Sequence, residues 1–283
     1  MPNYRIISLY SGSTGNSFLI MTERANILID AGRNVKTLTR ALGEVGLTID
    51  AIDAIFITHD HRDHTAALPV LLKHHAIPVH AVEASAQVIA FDLCEAGQAC
   101  LVRHTPLFCE TVGDITVHSF ITPHDSEFSV GYRIEISDGD SVATIGYATD
   151  LGYVTDEVRA ALSGCESVVL ESNHDRDMLL TGPYPRQLKE RIRSRYGHLP
   201  NDDCAALVAS LAEQGLKHLM LAHLSEQNNL PEIAYNETLM ALGGAAVTLS
   251  VAAPDRVVEL SMDVADANAH ASSFVGGDVT DAP

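Results

Sequence analysis

The apolar run Ala54-Ile55-Phe56-Ile57-Thr58 leads directly into His59-Asp60-His61-Arg62-Asp63-His64. The run reads as a buried strand, and four metal-capable side chains follow within six residues of where it ends. In an extended segment, side chains two apart point to the same side, so His59 and His61 can converge on one ion. Asp63 and His64 lie past the strand end, where the chain turns toward the apolar-periodic segment 66–72, and they can face a second ion. Imidazole with carboxylate suits zinc, manganese or iron rather than calcium. A solvated turn rich in histidine would give the same letters. Short histidine tracts more often signify metal, however, and these follow a core strand at usable spacing. A fold for this chain must therefore bring further donors to the end of that strand.

The sequence offers such donors at other strand ends. His124 follows an apolar strand in Thr122-Pro123-His124-Asp125, and Asp150 does so in Ala148-Thr149-Asp150-Leu151-Gly152. His223 follows Leu219-Met220-Leu221-Ala222, and His174 comes just after Val168-Val169-Leu170-Glu171. Any one of these alone reads as a polar residue facing solvent. Together, downstream of the histidine motif, they point to a shared site on loops presented by a rigid scaffold.

The element order is α/β. Strands are expected at 5–10, 17–21, 26–30, 54–58 and 77–80, then 115–121, 130–137 and 141–147, with helices at 35–45 and 65–75. Helices at 155–163, 185–195, 202–214 and 231–242 then alternate with strands at 167–171, 218–221, 246–251 and 256–260. This order predicts two sheets with helices outside. The loop Ser11-Gly12-Ser13-Thr14-Gly15-Asn16 either forms a plain tight turn or exposes backbone amides to an anion. Residues 1–262 read as one domain. Asp263–Pro283, small and acidic with no Lys or Arg, reads as a disordered tail.

An apolar share of 46% is enough for a sizeable core, and no apolar stretch is long enough to span a membrane. The start of the chain lacks the apolar core of a signal peptide. Five scattered cysteines without a Cys-x-x-Cys pair fit buried free thiols in a reducing cytoplasm. The net charge of −19 argues against broad, nonspecific binding to a polyanion. Against that background Arg186, Lys189, Arg191, Arg193 and Arg195 stand out, opposed only by Glu190. On a helix Arg186, Lys189 and Arg193 share a face, and their position beside His198 makes them candidate phosphate contacts.

The ordered set of motifs resembles the metallo-β-lactamase fold superfamily of metal-dependent hydrolases over roughly residues 3–260. Asp30 matches its first motif, His59, His61, Asp63 and His64 the second, His124 the third, Asp150 the fourth and His223 the fifth. Within the superfamily the chain is similar to YycJ-type proteins through the segments 11–17, 148–153, 171–175, 197–201 and 222–229. Pro200 departs from the serine more common in that group. The resemblance implies a four-layer αββα sandwich and two divalent ions, zinc or manganese first and iron after them. His59, His61 and His124 would hold one ion, Asp63, His64 and His223 the other, with Asp150 bridging. Asp30 would orient ligands from behind, and Asn173 and His174 would support the site or touch substrate.

Two ions about 3.5–4 Å apart acidify a bridging water and stabilise both oxygens of a displacement. On this reading Asp63 also orients the attacking hydroxide, and His198 protonates the leaving oxygen, a role that competes with capping the helix after it. The expected function is metal-dependent phosphodiester hydrolysis of nucleic acid, with DNA favoured and exonuclease action inherited from the resemblance. The alternative is hydrolysis of a small phosphodiester or thioester, which the acidic surface suits. The remaining histidines, His80 and His104 among them, carry no motif, and the sequence is silent on oligomeric state.

Overall fold

The computed structural model describes residues 2–262, so the tail expected at Asp263–Pro283 lies outside the described residues. The strands, in chain order, are β1 (Tyr4–Tyr10), β2 (Ser17–Thr22), β3 (Asn26–Ile29), β4 (Ala54–Phe56), β5 (Val79–Val82), β6 (Leu101–His104), β7 (Cys109–Val112), β8 (Ile115–Ile121), β9 (Val130–Ser137), β10 (Val142–Ala148), β11 (Ser167–Glu171), β12 (His218–Ala222), β13 (Thr248–Val251) and β14 (Val258–Glu259). They form two seven-stranded sheets, in the orders β14-β1-β2-β3-β4-β5-β6 and β13-β12-β11-β10-β9-β8-β7. Each sheet is mixed. β3 to β6 run parallel in the first and β10 to β13 in the second, while hairpin partners pair antiparallel.

The apolar runs explain the layering. Both faces of the central strands are buried, so their residues need no polar alternation. Ile27, Ile29 and Phe56 turn inward to meet Ile134, Tyr147, Val169 and Met220 of the other sheet. Their chain neighbours Leu28 and Ile55 turn outward onto Leu38 and Leu42 of the helix Val35–Glu44. On the opposite side Val168, Leu170, Leu219 and Leu221 pack against Val158, Leu207, Val208 and Leu211 of the helices Asp156–Leu162 and Asn201–Ala212. The result is the αββα sandwich.

The structure differs from the sequence reading at several places. The single helix expected over 65–75 is two short ones, Arg62–Thr65 and Leu68–Leu71. Pro69 has no N–H to continue the first, and sits well in the first turn of the second. The basic helix is shorter, Arg186–Ile192, because the chain folds back at Gly197 and His198 N donates to Ile192 O (3.0 Å). A Cβ on Gly197 would lie 2.1 Å from that same carbonyl oxygen, so the return requires glycine. The segment between β5 and β8, which carries no clear periodicity, holds the helices Glu83–Phe91 and Glu95–Gln98 and the edge strands β6 and β7. All five cysteines are free, but only Cys165 and Cys204 are buried. Among the described residues no helix is long and apolar enough to cross a membrane.

Candidate metal centre

The site forms where strands of both sheets end on the same side of the sandwich. Asp30 follows β3, His59 and His61 follow β4, and His124, Asp150 and His223 follow β8, β10 and β12. Asp30, Asp150 and His223 have φ of 62°, 58° and 55°, left-handed values that a non-glycine residue adopts at a cost of about 1–2 kcal/mol. Such strain concentrates at functional sites. These three lie within two residues of a strand end, where the chain turns sharply.

One donor atom from each of His59, His61 and His124 lies within 4.8 Å of the others, and the same holds for Asp63, His64 and His223. Asp150 lies between the two groups, with Oδ2 3.4 Å from His64 Nε2 and Oδ1 3.7 Å from His124 Nε2. The sequence-predicted donors are therefore all brought together.

Behind the donors, most imidazoles are held by their far nitrogen. His64 Nδ1 donates to Asp30 Oδ2 (2.7 Å), His223 Nδ1 to Glu171 Oε1 (2.8 Å) and His124 Nδ1 to Gly197 O (3.2 Å). His59 Nδ1 meets Thr58 Oγ1 at 3.0 Å, and Thr58 is itself tied to both oxygens of Asp30. Each contact fixes the ring and leaves Nε2 facing the centre, the arrangement by which outer partners orient metal-binding histidines. Asp30 is thus bonded from behind to both His64 and Thr58.

The loop Ser11–Asn16 folds as a tight turn that braces the centre, and Ser13 lines the pocket over it. Gly12 N donates to Asn16 Oδ1, Gly15 N donates to Gly12 O, and Ser11 Oγ accepts from His223 N. Gly32 is equally constrained: a Cβ there would fall 1.8 Å from Asp63 O.

The donor set fits divalent metal. His59 Nε2, His223 Nε2 and Asp150 Oδ2 are buried without any hydrogen-bond partner. Such groups are rarely orphaned unless an ion or water satisfies them. Burial, reinforced by the imidazoles of His64, His124 and His61, pushes His59 well below the usual histidine range, so it is neutral and ready to coordinate. Burial also opposes charge on His223, but Asp150, Asp63 and Glu171 outweigh it and hold this group at about 10. The same contest at His64, against Asp63, Asp30 and Asp150, ends well above the usual range. The clustered carboxylates thus call for positive charge at the centre.

Glu171 is the main residue that sequence reasoning missed. It is fully buried at the end of β11. Oε1 accepts from both His198 Nδ1 and His223 Nδ1 at 2.8 Å, and Oε2 from Leu151 N and Leu199 N. A carboxylate ending an otherwise apolar strand was the available signal. Burial opposes its ionisation, but His198 and His223 more than compensate and hold it well below the ordinary glutamate range. His198 lines the pocket over the centre together with Asn173, Tyr184, Leu188 and Arg191. It caps no helix. Asn201 is the first helical residue and accepts from Ser172 Oγ and Asn229 Nδ2. Pro200 fits the extended N-cap position.

Other expected residues lie elsewhere. His174 is buried, bridged to Pro200, with Nδ1 3.3 Å from Asn173 Oδ1, and it does not line the pocket. Arg186 pairs with Glu190, and Lys189 Nζ donates to Leu180 O and Gly182 O. Neither they nor Arg193 line the pocket; Arg191 does, in a two-point ion pair with Asp125. The reason is that Leu188 and Ile192 set the inward face of this helix, and Arg191 flanks it.

Comparison with known proteins places this architecture. The sequence profile of the family described as beta-lactamase superfamily domain matches residues 25–224. Exodeoxyribonuclease YycJ of Bacillus anthracis is 35% identical over 226 residues, spanning 80% of this chain and 84% of that protein. Exodeoxyribonuclease WalJ of Streptococcus pneumoniae is 33% identical over 261 residues, spanning 91% of this chain and 94% of that protein. The crystal structure of the metallo-beta-lactamase fold protein YhfI from Bacillus subtilis superposes with a TM-score of 0.65 over 91% of this chain and 100% of its own, at 18% identity, a likeness of fold alone. With the family matched over most of its length and histidines and carboxylates gathered at the strand ends, the chain belongs to the beta-lactamase superfamily as a YycJ-like, metal-dependent hydrolase.

Proposed function

We propose that the chain is a two-metal phosphodiesterase acting on DNA, and an exonuclease. The observation that carries this reading is the pair of donor clusters sharing Asp150, with buried, unpartnered atoms turned into the space between them. His59, His61 and His124 would hold one ion and Asp63, His64 and His223 the other. Two divalent ions bound there supply an acidified water as nucleophile and positive charge for both oxygens of an in-line displacement.

The chain's own groups do the rest. Asp63, only partly buried, lines the pocket, where it can orient a nucleophile. His198, steadied from behind by Glu171, can deliver a proton from Nε2 to the leaving oxygen. Arg191 offers a guanidinium on the pocket wall, a geometry suited to phosphate. The relatives named as exodeoxyribonucleases support DNA as substrate.

One observation favours a second reading, a small phosphodiester or thioester. Arg191 is the only Lys or Arg lining the pocket among the described residues, and the chain carries a net charge of −19. The test gives metal-loaded protein three substrates: a 5′-phosphorylated linear duplex, a covalently closed circle and bis(p-nitrophenyl) phosphate. The proposal predicts loss of the linear duplex and survival of the circle. Turnover of the small diester alone would transfer the assignment to the second reading.

A further inference from the structure

The turn that brings His198 to the pocket also carries Tyr196, a residue the catalytic reading leaves idle. It is 60% exposed, and among the described residues its ring stacks on nothing and its hydroxyl bonds to nothing.

The backbone beneath that ring is nevertheless fixed. Tyr196 N donates to Ser194 Oγ (3.2 Å), and Gly197 N donates to Ser194 O (3.0 Å). Gly152, whose N donates to Pro123 O (2.9 Å), presses against the same turn. A Cβ on Gly152 would fall 2.1 Å from Arg195 O and 2.6 Å from Tyr196 N. Tyr196 is thereby tied to the two loops that supply Asp150 and His124.

Beside it lies a cleft of about 490 Å³ that shares His124 with the pocket over the centre. Tyr153 and Tyr196 both line this cleft. The Arg195 guanidinium already covers the Tyr153 ring, 4.4 Å from its centroid, so Tyr196 is the open one of the two. No Lys or Arg lines the cleft, whereas Glu127, Asp156 and Glu157 do. Such a wall repels phosphate and suits a flat, uncharged group that carries N–H donors. In a nucleic acid that group is the base, which stacks on aromatic side chains through a π-face that every base has. The two pockets thus divide a nucleotide by charge, with phosphate toward the metal donors and Arg191 and the base toward Tyr196. Stacking also contributes affinity without basic surface, of which a chain of net charge −19 has little.

We propose that Tyr196 is a stacking platform for the nucleobase next to the scissile phosphate, and that the cleft beside His124 receives that base. The inference rests on the DNA reading of the centre and adds to it a subsite that recognises the base.

The test compares metal-loaded wild type with Tyr196→Ala and Tyr196→Phe on two linear duplexes. One is intact, and the other carries abasic tetrahydrofuran residues at the ends of both strands. On the intact duplex Tyr196→Ala should raise KM by about 5- to 140-fold with metal content as in wild type. Tyr196→Phe, which keeps the π-face, should restore a KM close to that of wild type. On the abasic duplex the wild-type KM should rise toward that of Tyr196→Ala, and the substitution should cost little more. An unchanged KM for Tyr196→Ala on intact DNA would overturn the proposal, and so would an equal rise on both duplexes, which marks a structural role. Either result leaves the DNA reading standing. Failure of wild type to digest the intact duplex would overturn both together.

Discussion

Replacing Glu171 by Gln changes almost no volume and tests how the centre is held. All four groups bonded to this carboxylate are donors: His198 Nδ1 and His223 Nδ1 at 2.8 Å, Leu151 N at 2.7 Å and Leu199 N at 3.1 Å. An amide has one oxygen to offer them, so two donors must face an NH2 group whichever way it turns. Turned toward the backbone, it strands two N–H groups at about 1–3 kcal/mol each, or roughly 2–6 kcal/mol of stability. Turned toward the histidines, it forces them to move their hydrogens to Nε2. On His223 that hydrogen occupies the nitrogen facing the centre, and losing such an orienting partner typically costs about 10–100-fold in metal affinity. On His198 the change removes the negative charge that steadies an imidazolium, for which a comparable aspartate-to-asparagine change costs up to ~10⁴ in turnover. Glu171→Gln should therefore bind zinc or manganese at least about tenfold more weakly in a chelator competition. At saturating metal its digestion of linear duplex DNA, whose alkoxide leaving oxygen needs that proton, should still fall by ~10² or more. A folded variant with wild-type metal affinity and turnover would refute the reasoning.

Further outcomes follow from the same geometry. His198→Ala should lose about 10²–10⁴ in turnover with metal content unchanged, checked by elemental analysis beside the rate; loss of metal would make His198 a ligand instead. Gly32→Ala pushes a methyl group to 1.8 Å from Asp63 O. It should cost at least about 1–3 kcal/mol in denaturant unfolding and weaken metal binding. Arg191→Ala should raise KM for DNA about tenfold with little change in kcat, in line with the loss of one charged hydrogen bond. Arg186→Ala, whose guanidinium pairs with Glu190 on the surface, should change neither parameter.

Most of the donors were legible in the sequence because they sit just past an apolar strand, where the pattern itself breaks. His59, His61, His124, Asp150 and His223 all do so, and Asp30 does so behind them. Asp63 and His64 were legible through their closeness to His59 and His61. Glu171 was less legible. It ends the apolar strand β11 like any boundary residue, and its partners come from sequence positions far from it. The parallel pairing of β11 with β12 brings His223 beside it, and the return of the chain after Ile192 brings His198. The basic helix shows a different gap. Counting charges selects Arg186, Lys189 and Arg193, whereas the inward face is marked by Leu188 and Ile192, which point to Arg191 instead. The single helix expected over 65–75 failed at Pro69, a breaker that the apolar periodicity overrode.

The central claim is that two ions share Asp150. Anomalous scattering from crystals of the manganese- or zinc-loaded protein tests it most directly. Two peaks are expected about 3.5–4 Å apart, one within bonding distance of His59, His61 and His124 and the other of Asp63, His64 and His223. A single peak in this centre, or a pair that does not have Asp150 between them, would contradict the account.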